Sequence, residues 1–282
     1  MRIVYSPQCL SYSQPGHPES PERVRSIYDA LKNAYEFVAP NAVSEETLIE
    51  THTERLIETL KSGAFYDSDT PAYPHIYEFA RLSVGAAVTA MEMTLDGEDA
   101  FSLSRPPGHH AGRDYLGGFC YLNNIAVAVT QALKRVEKVA IIDFDCHHGD
   151  GTEDIFFGNE RVLFVSLHES PLFPGTGLAS RGNCLNYTVQ AGTTDDDYFP
   201  VFDSALEQVS EFNADLIAVS AGFDAHKGQP IANLQLETGS FGKIGQRIAA
   251  LNKPTLSALE GGYCSELAPS VREYLAALAR RT

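Results

Sequence analysis

Long apolar runs, paired cysteine motifs and an excess of basic residues are all missing from this sequence of 282 residues. No stretch of about 18 consecutive apolar residues occurs, so no membrane-spanning helix is predicted. The first residues, MRIVYSPQCLSYSQPGHPESPERV, lack the apolar centre of a secretion signal. We therefore expect a soluble protein of the cytoplasm, without a membrane partner.

The cysteines show no sign of forming a framework. Their number is odd, and no CxxC spacing occurs among Cys9, Cys120, Cys146, Cys184 and Cys264. A disulfide scaffold or a cysteine-rich zinc site is therefore not expected, which fits a reducing compartment. Cys146 stands between acidic and imidazole residues, yet its side chain is predicted to face away from them and to pack in the core.

Basic residues are outnumbered, with 21 Lys and Arg against 37 Asp and Glu and a formal net charge of −16. Nucleic-acid binding draws on clustered Lys and Arg, so no nucleic-acid partner is predicted. The acidic balance is explained by general solubility, and it could also attract cationic molecules such as polyamines or lysine-rich tails. Composition leaves the oligomeric state open.

What the sequence does contain is an alternation of β-rich apolar runs and helix-like stretches. The alternation predicts one α/β domain over residues 1–282, with a mostly parallel, doubly wound sheet flanked by helices. The apolar runs lie at 2–6, 100–105, 138–144, 161–168, 215–222 and 254–262. The helix-like stretches lie at 21–35, 45–62, 76–96, 121–135, 199–213, 240–252 and 266–280.

Polar motifs follow most of the apolar runs, where the predicted strands end. Ligand sites of open α/β sheets lie at the carboxyl ends of the strands, so these motifs are predicted to converge. They are RPPGHHAG from Arg105, DFDCHHGD from Asp143, SLHESPLFPGTG from Ser166, SAGFDAH from Ser220, and LEGGYC after the last run.

Acids and histidines follow the fourth strand directly and point to a metal ion. An unpaired buried carboxylate is costly, so such a cluster needs a counter-charge. In an extended chain Asp143, Asp145 and His147 would project to one side, and Asp224 after another strand is a candidate third ligand. Mixed Asp and His ligation suits Zn²⁺ or Fe²⁺, and extra carbonyl oxygens suit a harder ion. The alternative is a salt-bridged network of structural acids, which the absence of Lys and Arg between 139 and 160 disfavours.

Acid–base groups are predicted beside the metal. His109 and His110 follow a rigid Pro-Pro-Gly turn and would titrate near neutrality. Asp143 and Asp150 could each orient one imidazole. The Tyr263 hydroxyl could reach a cleft past two slim glycines. Taken alone, a tyrosine after Gly-Gly is more often a packing residue, whereas two histidines beside a metal site favour acid–base chemistry. Together these residues complete a hydrolytic set of metal, base and oxyanion donor.

These motifs, in this order, resemble the zinc-dependent histone deacetylase superfamily, which includes acetylpolyamine amidohydrolases and acetoin-utilisation proteins. The resemblance covers nearly the whole chain, and AGFDAH and LEGGY are closer to the class II and bacterial branch than to class I. It rests on HPESPERV (17–24), RPPGHHA, GGFCYLNNIAVA, IIDFDCHHGDGTEDIF, SLHESPLFPGTG, SAGFDAH and LEGGYC.

The resemblance implies a zinc ion held by Asp145, His147 and Asp224. Zinc in such a site leaves a position for water and the substrate carbonyl, lowers the pKa of the water and polarises the amide. The remaining catalytic set that the resemblance implies is the tandem histidines, their carboxylate partners and an oxyanion-donating tyrosine, namely His109, His110, Asp143, Asp150 and Tyr263.

Structural potassium ions are also implied by the resemblance. One site would use Asp143, Asp145, the carbonyl of His147, Ser166 and Leu167. A second site would use carbonyls near Phe156, Asn159 and Val162, with Tyr198.

The resemblance further implies a narrow tunnel for an acyl-lysine-like chain. Gly118, Phe119 and Phe173 match its walls, Asp69 resembles a rim acid that holds the substrate, and Arg23 resembles an internal-channel arginine. Acetylpolyamine enzymes often carry an acidic residue for a second amine. Ile231 stands in the comparable stretch here and weakens the polyamine interpretation.

The resulting hypothesis is a zinc amidohydrolase that removes an acetyl or other short acyl group from an acylated amine, most simply an acyl-lysine. Its first rival is deacetylation of polyamines or other small amides. A second rival is a non-catalytic zinc-binding regulatory module, which would have no need of Tyr263 or both histidines. A remote third is a two-metal hydrolase of the arginase kind, which would need acidic ligands in place of those residues.

Overall fold

Eight strands form a single sheet within residues 1–279, the part of the chain that the computed structural model describes. The strands are β1 Arg2–Tyr5, β2 Phe37–Val38, β3 Ala100–Leu103, β4 Val139–Asp143, β5 Val162–Glu169, β6 Cys184–Val189, β7 Leu216–Ala221 and β8 Thr255–Leu259. Their order across the sheet is β2-β1-β3-β8-β7-β4-β5-β6, and every neighbouring pair is parallel.

Helices connect the strands and cover the sheet. They are α1 Pro21–Leu31, α2 Glu45–Ile49, α3 Glu54–Ser62, α4 Ile76–Leu95, α5 Asn124–Ala132, α6 Asp150–Phe156, α7 Asp195–Phe212, α8 Thr238–Ala250 and α9 Leu267–Leu278, with a short 3₁₀ helix at Pro7–Leu10. Within residues 1–279, no helix combines the length and the apolar character needed to cross a bilayer.

The sheet is buried on both faces, which explains its continuous apolar strands. In β4, Ala140 and Ile142 pack into the layer formed by α1, α7, α8 and α9. Val139 and Ile141 point the other way, into the layer formed by α2 to α6. Successive side chains of a strand alternate between faces, so both faces of a doubly covered strand must be apolar. The predicted doubly wound α/β fold is confirmed, and the sheet is parallel throughout.

Most predicted elements form, and the exceptions have local causes. The stretch 45–62 divides into α2 and α3, because Thr53 caps α3 by accepting a hydrogen bond from the Leu56 N–H. Strands β2 and β6 were not predicted: β2 has two residues, and β6 is a partly exposed edge strand. Helix α6 was also missed, since its short polar sequence contains part of the metal motif. Position 280 of the last predicted helix lies outside the described residues.

Strand β8 comes last in the chain but lies in the middle of the sheet, between β3 and β7. The carboxyl ends of β3, β8, β7 and β4 are therefore neighbours at one edge. The segments that leave these ends carry most of the polar motifs, so the sheet order alone brings distant parts of the sequence together.

Candidate active site

Two carboxylates and an imidazole meet at the carboxyl edge of the sheet. The Nδ1 of His147 lies 3.1 Å from an oxygen of Asp145 and 3.1 Å from an oxygen of Asp224. All three side chains are buried, and their candidate ligand atoms lie within 4.8 Å of one another. A Cβ at position 261 would lie 2.2 Å from the Asp224 carboxylate, so only Gly261 leaves room for the cluster.

A turn, and not an extended strand, arranges these ligands. Strand β4 ends at Asp143, whose carboxylate accepts a hydrogen bond from the Asp145 N–H; the Asp145 carboxylate in turn accepts one from the His147 N–H. Such bonds from a side chain to the backbone two residues on stabilise turns. The prediction that Cys146 faces away was wrong for the same reason: without strand alternation its Sγ lies 3.3 Å from the Nδ1 of His147.

The electrostatics of the cluster call for a cation. Burial would raise the pKa of Asp145, but the charges of His109 and His147 hold it low, whereas burial and the Asp145 charge raise the pKa of Asp224. Burial opposes protonation of His147, yet both carboxylates outweigh it and raise its pKa to about 10. Two buried carboxylates thus share one positive charge. This donor set fits a zinc ion.

The tandem histidines are each held by a carboxylate, as predicted. The Nδ1–H of His109 donates to Asp143 at 3.0 Å, and that of His110 donates to Asp150 at 2.7 Å. The Tyr115 hydroxyl donates to the other oxygen of Asp150 at 3.1 Å. Because each carboxylate accepts from Nδ1–H, it does not occupy the Nε2 atom of the ring, and it fixes the orientation of the imidazole.

The two imidazoles have opposite proton affinities. Burial lowers the pKa of His109, but the charges of Asp145 and Asp143 outweigh it and raise the pKa well above its ordinary value. Burial and the neighbouring His109 lower the pKa of His110 to about 4. Near neutral pH the His109 ring is therefore cationic and the His110 ring is neutral, a division suited to general acid–base catalysis.

Tyr263 is held from several sides with its hydroxyl protonated. Its N–H donates to the side-chain oxygen of Gln229 at 2.7 Å, the Arg23 guanidinium lies 4.6 Å from its ring centre, and Phe119 contacts the ring edge-on. Arg23 also donates to the carbonyls of Gly262 and Glu260. Burial raises the pKa of Tyr263 well above its ordinary value, so the hydroxyl remains a donor.

A cavity of about 320 Å³ opens onto these groups. Besides His109, His110, His147 and Tyr263, its wall includes every predicted tunnel and rim residue, namely Gly118, Phe119, Phe173, Asp69 and Ile231. Gly118 has φ +55°, and a Cβ there would come within 2.5 Å of His110 and 2.9 Å of Phe173, so glycine keeps the passage open. Arg23 lies behind Tyr263 and is not among the lining residues.

His17 is a wall residue that the sequence did not single out. Its Nδ1 accepts from the Glu19 N–H, which leaves Nε2–H to donate to the Asp69 carbonyl at 3.1 Å. The ring also contacts Phe119 edge-on, with 4.8 Å between ring centres. His17 therefore braces the rim loop that carries Asp69.

Glu260 is a second residue that sequence reasoning missed. The side chain is fully buried, and its Oε2 accepts from the N–H groups of Gly108 at 2.7 Å and His109 at 3.2 Å. It thereby joins the segment after β8 to the segment after β3. Its place between the last strand and the two glycines was the only signal in the sequence.

A buried ion-pair network supports the segment after β3. The Nε and Nη2 of Arg105 donate to both oxygens of Glu19, at 2.7 and 2.6 Å, and Arg105 lies 3.7 Å above the Tyr12 ring. Arg23 donates to Glu19 as well, at 3.2 Å. Arg105 and Glu19 are almost completely buried, so each charge depends on the other.

The residues assigned to the first potassium ion are close together. Asp143 pairs with Ser166 across β4 and β5, and Asp145 and His147 follow in the turn. Ser166 and Leu167 lie inside β5 and not at its end, because that strand continues to Glu169. The Ser166 hydroxyl contacts the Nδ1 of His168 at 2.9 Å.

The carbonyls assigned to the second potassium ion already have a common donor. The oxygens of Phe156, Asn159 and Val162 accept from the side-chain amide of Asn183, at 2.8, 3.3 and 2.9 Å. Tyr198 is fully buried in α7, and its hydroxyl has no hydrogen-bond partner among the described residues. The predicted ion therefore has a competitor within the chain, the Asn183 amide.

Comparisons with known proteins agree with this geometry. The family model described as histone deacetylase domain matches residues 17–278. A probable deacetylase of Archaeoglobus fulgidus is 38% identical over 94% of this chain and 81% of the relative. An acetylpolyamine amidohydrolase of Pseudomonas aeruginosa is 38% identical over 71% of this chain and 62% of its own length.

Solved structures extend the agreement to the fold. The acetylpolyamine aminohydrolase of Burkholderia pseudomallei superposes with a TM-score of 0.94 at 26% identity, covering 99% of both chains. The HDA15 HD domain superposes with a TM-score of 0.92 at 30% identity, covering 99% of this chain and 91% of that one. The chain belongs to the histone deacetylase domain family, a family of deacetylases and amidohydrolases.

Proposed function

We propose that this chain is a zinc-dependent amidohydrolase that removes acetyl or other short acyl groups from acyl-lysine side chains, and that residues 1–282 form one catalytic domain. The observation that carries the proposal is the shared cavity. His109, His110, His147 and Tyr263 line this cavity, and His147 belongs to the buried cluster with Asp145 and Asp224.

Asp145, His147 and Asp224 would hold the zinc ion. The sharing of one positive charge between two buried carboxylates supports this, as does the scarcity of cationic side chains between 139 and 160. Zinc bound there would polarise the acyl carbonyl and make water a better nucleophile near neutral pH.

The histidine pair would carry out the proton transfers of hydrolysis. One imidazole takes a proton from the attacking water, and the other delivers a proton to the amine as the carbon–nitrogen bond breaks. Asp143 and Asp150 keep each ring in the tautomer whose Nε2 faces the reaction. The two rings are close, with 4.0 Å between their centres, so both reach the same amide.

Tyr263 would donate its hydroxyl to the oxyanion that forms when water adds to the carbonyl. Its raised pKa keeps the proton in place, and the contacts with Gln229, Arg23 and Phe119 hold the ring. A fixed donor aimed at developing charge is usually among the largest contributions to catalysis.

The cavity walls would select an unbranched acylated amine. Phe119 and Phe173 would grip the methylene chain, with Gly118 between them, and Asp69 at the rim would accept hydrogen bonds from the substrate. Ile231 offers no charge for a second amine. We also propose that Asp143, Asp145, His147, Ser166 and Leu167 bind a structural potassium ion, which would tie β5 to the zinc ligands.

Acetylpolyamines are the second candidate substrate. Relatives from Pseudomonas aeruginosa and Burkholderia pseudomallei carry the name acetylpolyamine amidohydrolase, and the net charge of −16 would attract polycations. Neither observation distinguishes a free polyamine from a lysine-rich peptide.

Zinc-loaded protein incubated with acetyl-, trifluoroacetyl- and longer acyl-lysine peptides, and with acetylated spermidine and putrescine, tests the proposal. A chelated sample and an Asp224→Asn variant run beside it. Turnover of an acyl-lysine peptide that collapses in both controls is expected. Turnover of polyamines alone would select the second candidate, and no turnover with zinc demonstrably bound would favour a regulatory binding module.

A further inference from the structure

Glu260 has one carboxylate oxygen without a described partner. Oε2 accepts two backbone hydrogen bonds, but Oε1 is buried and accepts none from the residues that the structure describes. Burial raises the pKa of Glu260 to about 7, against the opposing charge of His109. A buried acceptor without a donor calls for a proton, a water molecule or a cation at that place.

Two further donor groups lie close to the Glu260 carboxylate. A ring nitrogen of His109, the Sγ of Cys120 and a carboxylate oxygen of Glu260 lie within 4.8 Å of one another, and all three residues are buried. The Cys120 thiol donates a hydrogen bond to the Gly118 carbonyl at 3.4 Å. Burial and the Glu260 charge raise the pKa of this thiol well above its ordinary value, so without a cation it keeps its proton.

We propose that His109, Cys120 and Glu260 form a second cation site that takes Zn²⁺ or another thiophilic divalent ion. Imidazole, thiolate and carboxylate are the three zinc ligand types of proteins, and this cluster supplies one of each. On binding, the Cys120 thiol and the protonated His109 ring each release one proton to the solvent, and the thiolate sulfur and the freed ring nitrogen bond to the cation. The ion would also satisfy the unpartnered Glu260 oxygen.

The site is separate from the first cluster but adjoins it. It shares no residue with Asp145, His147 and Asp224. His109 lines the cavity, whereas Cys120 and Glu260 are not among its lining residues. The Nε2 of His109 lies 3.8 Å from a carboxylate oxygen of Asp145.

Occupancy of this site would inhibit hydrolysis. A cation bound to His109 removes the lone pair that the ring needs for proton transfer, so zinc beyond the first equivalent would slow turnover. This consequence rests on the proposed function, while the existence of the site does not. A binding measurement therefore separates the two ideas.

Cobalt titration of the metal-free protein is the test, because Co²⁺ bound to a thiolate absorbs in the near ultraviolet. We expect the wild type to bind a second equivalent with this absorption. Cys120→Ser should lose the band and weaken the second binding event by at least about tenfold, since removing even a group that only supports a metal ligand costs about ten- to a hundredfold. Cys184→Ser, at a buried cysteine in β6, is the matched control and should keep both.

Further variants make the outcome decisive. Glu260→Gln keeps an oxygen for the Gly108 and His109 amides, and should weaken the second equivalent with circular dichroism unchanged. A band that survives Cys120→Ser and disappears in Cys146→Ser would place the thiolate in the first cluster and overturn the proposal. Binding of only one equivalent of Co²⁺ and of Zn²⁺ would overturn it as well, leaving a proton or water on Glu260.

Discussion

The Tyr263→Phe substitution isolates the hydroxyl that we assign to the oxyanion. Phenylalanine keeps the ring, so the edge contact with Phe119, the Arg23 guanidinium at 4.6 Å and the backbone bond to Gln229 all remain. The substitution therefore removes one hydrogen-bond donor and little else. Loss of one such donor lowers kcat by about 10²–10³, or roughly 2.7–4 kcal/mol of transition-state stabilisation.

The assay compares kcat and KM of wild type and Tyr263→Phe on an acetyl-lysine peptide, with bound zinc measured in both. The loss should fall on kcat, because the donor acts only when the carbonyl oxygen becomes negative. Tyr35→Phe is the matched control, since Tyr35 lies two residues before β2, on the amino-end side of the parallel sheet and away from the site at its carboxyl edge. A Tyr263→Phe rate within about threefold of wild type, with zinc bound, would refute the oxyanion role.

Three further outcomes are expected. Glu19→Gln leaves Arg105 buried without its bidentate partner and should lower the free energy of unfolding by about 3–5 kcal/mol in urea denaturation; a loss below about 1 kcal/mol would show that the pair is not needed. Burial lowers the pKa of His52 to about 4, against about 6.5 when unfolded, and outweighs the opposing effect of the hydrogen bond from its Nδ1–H to the Gly112 carbonyl. Its Nε2 accepts from the Asn123 N–H. Between pH 6.5 and 4 the unfolded chain therefore binds more protons than the folded chain, so the free energy of unfolding should fall as pH falls, by up to roughly 3 kcal/mol from this residue. His52→Gln should flatten the dependence of the unfolding free energy on pH, and an unchanged dependence would contradict the assignment. Asn183→Ala frees three carbonyls, so its melting temperature should rise more steeply with K⁺ than that of the wild type, whereas equal K⁺ dependence would show that the amide does not compete with an ion.

Sequence patterns predicted the site better than its supports. Asp145, His109 and Tyr263 were found because each follows an apolar run, and the carboxyl edge of a parallel sheet gathers such residues whatever the strand order. Glu260 and Asn183 escaped because their importance depends on partners far along the chain, the Gly108 amide for one and the carbonyls of residues 156, 159 and 162 for the other. The periodicity of apolar residues in the sequence cannot predict such long-range contacts.

The shape of the ligand turn was missed for a related reason. Alternation in a strand predicted that Asp143, Asp145 and His147 share a side, but β4 ends at Asp143 and hydrogen bonds from side chains to the backbone take over. The structure brings Asp145 and His147 together, but through a turn and not through strand alternation. Short-range polar bonds outweigh strand propensity where the strand leaves the sheet.

The central position of β8 in the sheet determines when the candidate active site is completed during folding. Phe101 of β3 pairs with Ser257 of β8, and Ile217 of β7 pairs with Thr255, so β8 is the seam between two incomplete sheets, β2-β1-β3 and β7-β4-β5-β6. During synthesis each half-sheet has an unpaired edge until residues 255–259 leave the ribosome. Aggregation is a risk in this interval, because unpaired strand edges can bind other chains and pairings between distant residues form slowly. Glu260 and Tyr263 directly follow β8 in the sequence, so they reach their positions only when β8 pairs with both half-sheets. A nascent chain can thus fold much of its scaffold before any of it can act on a substrate.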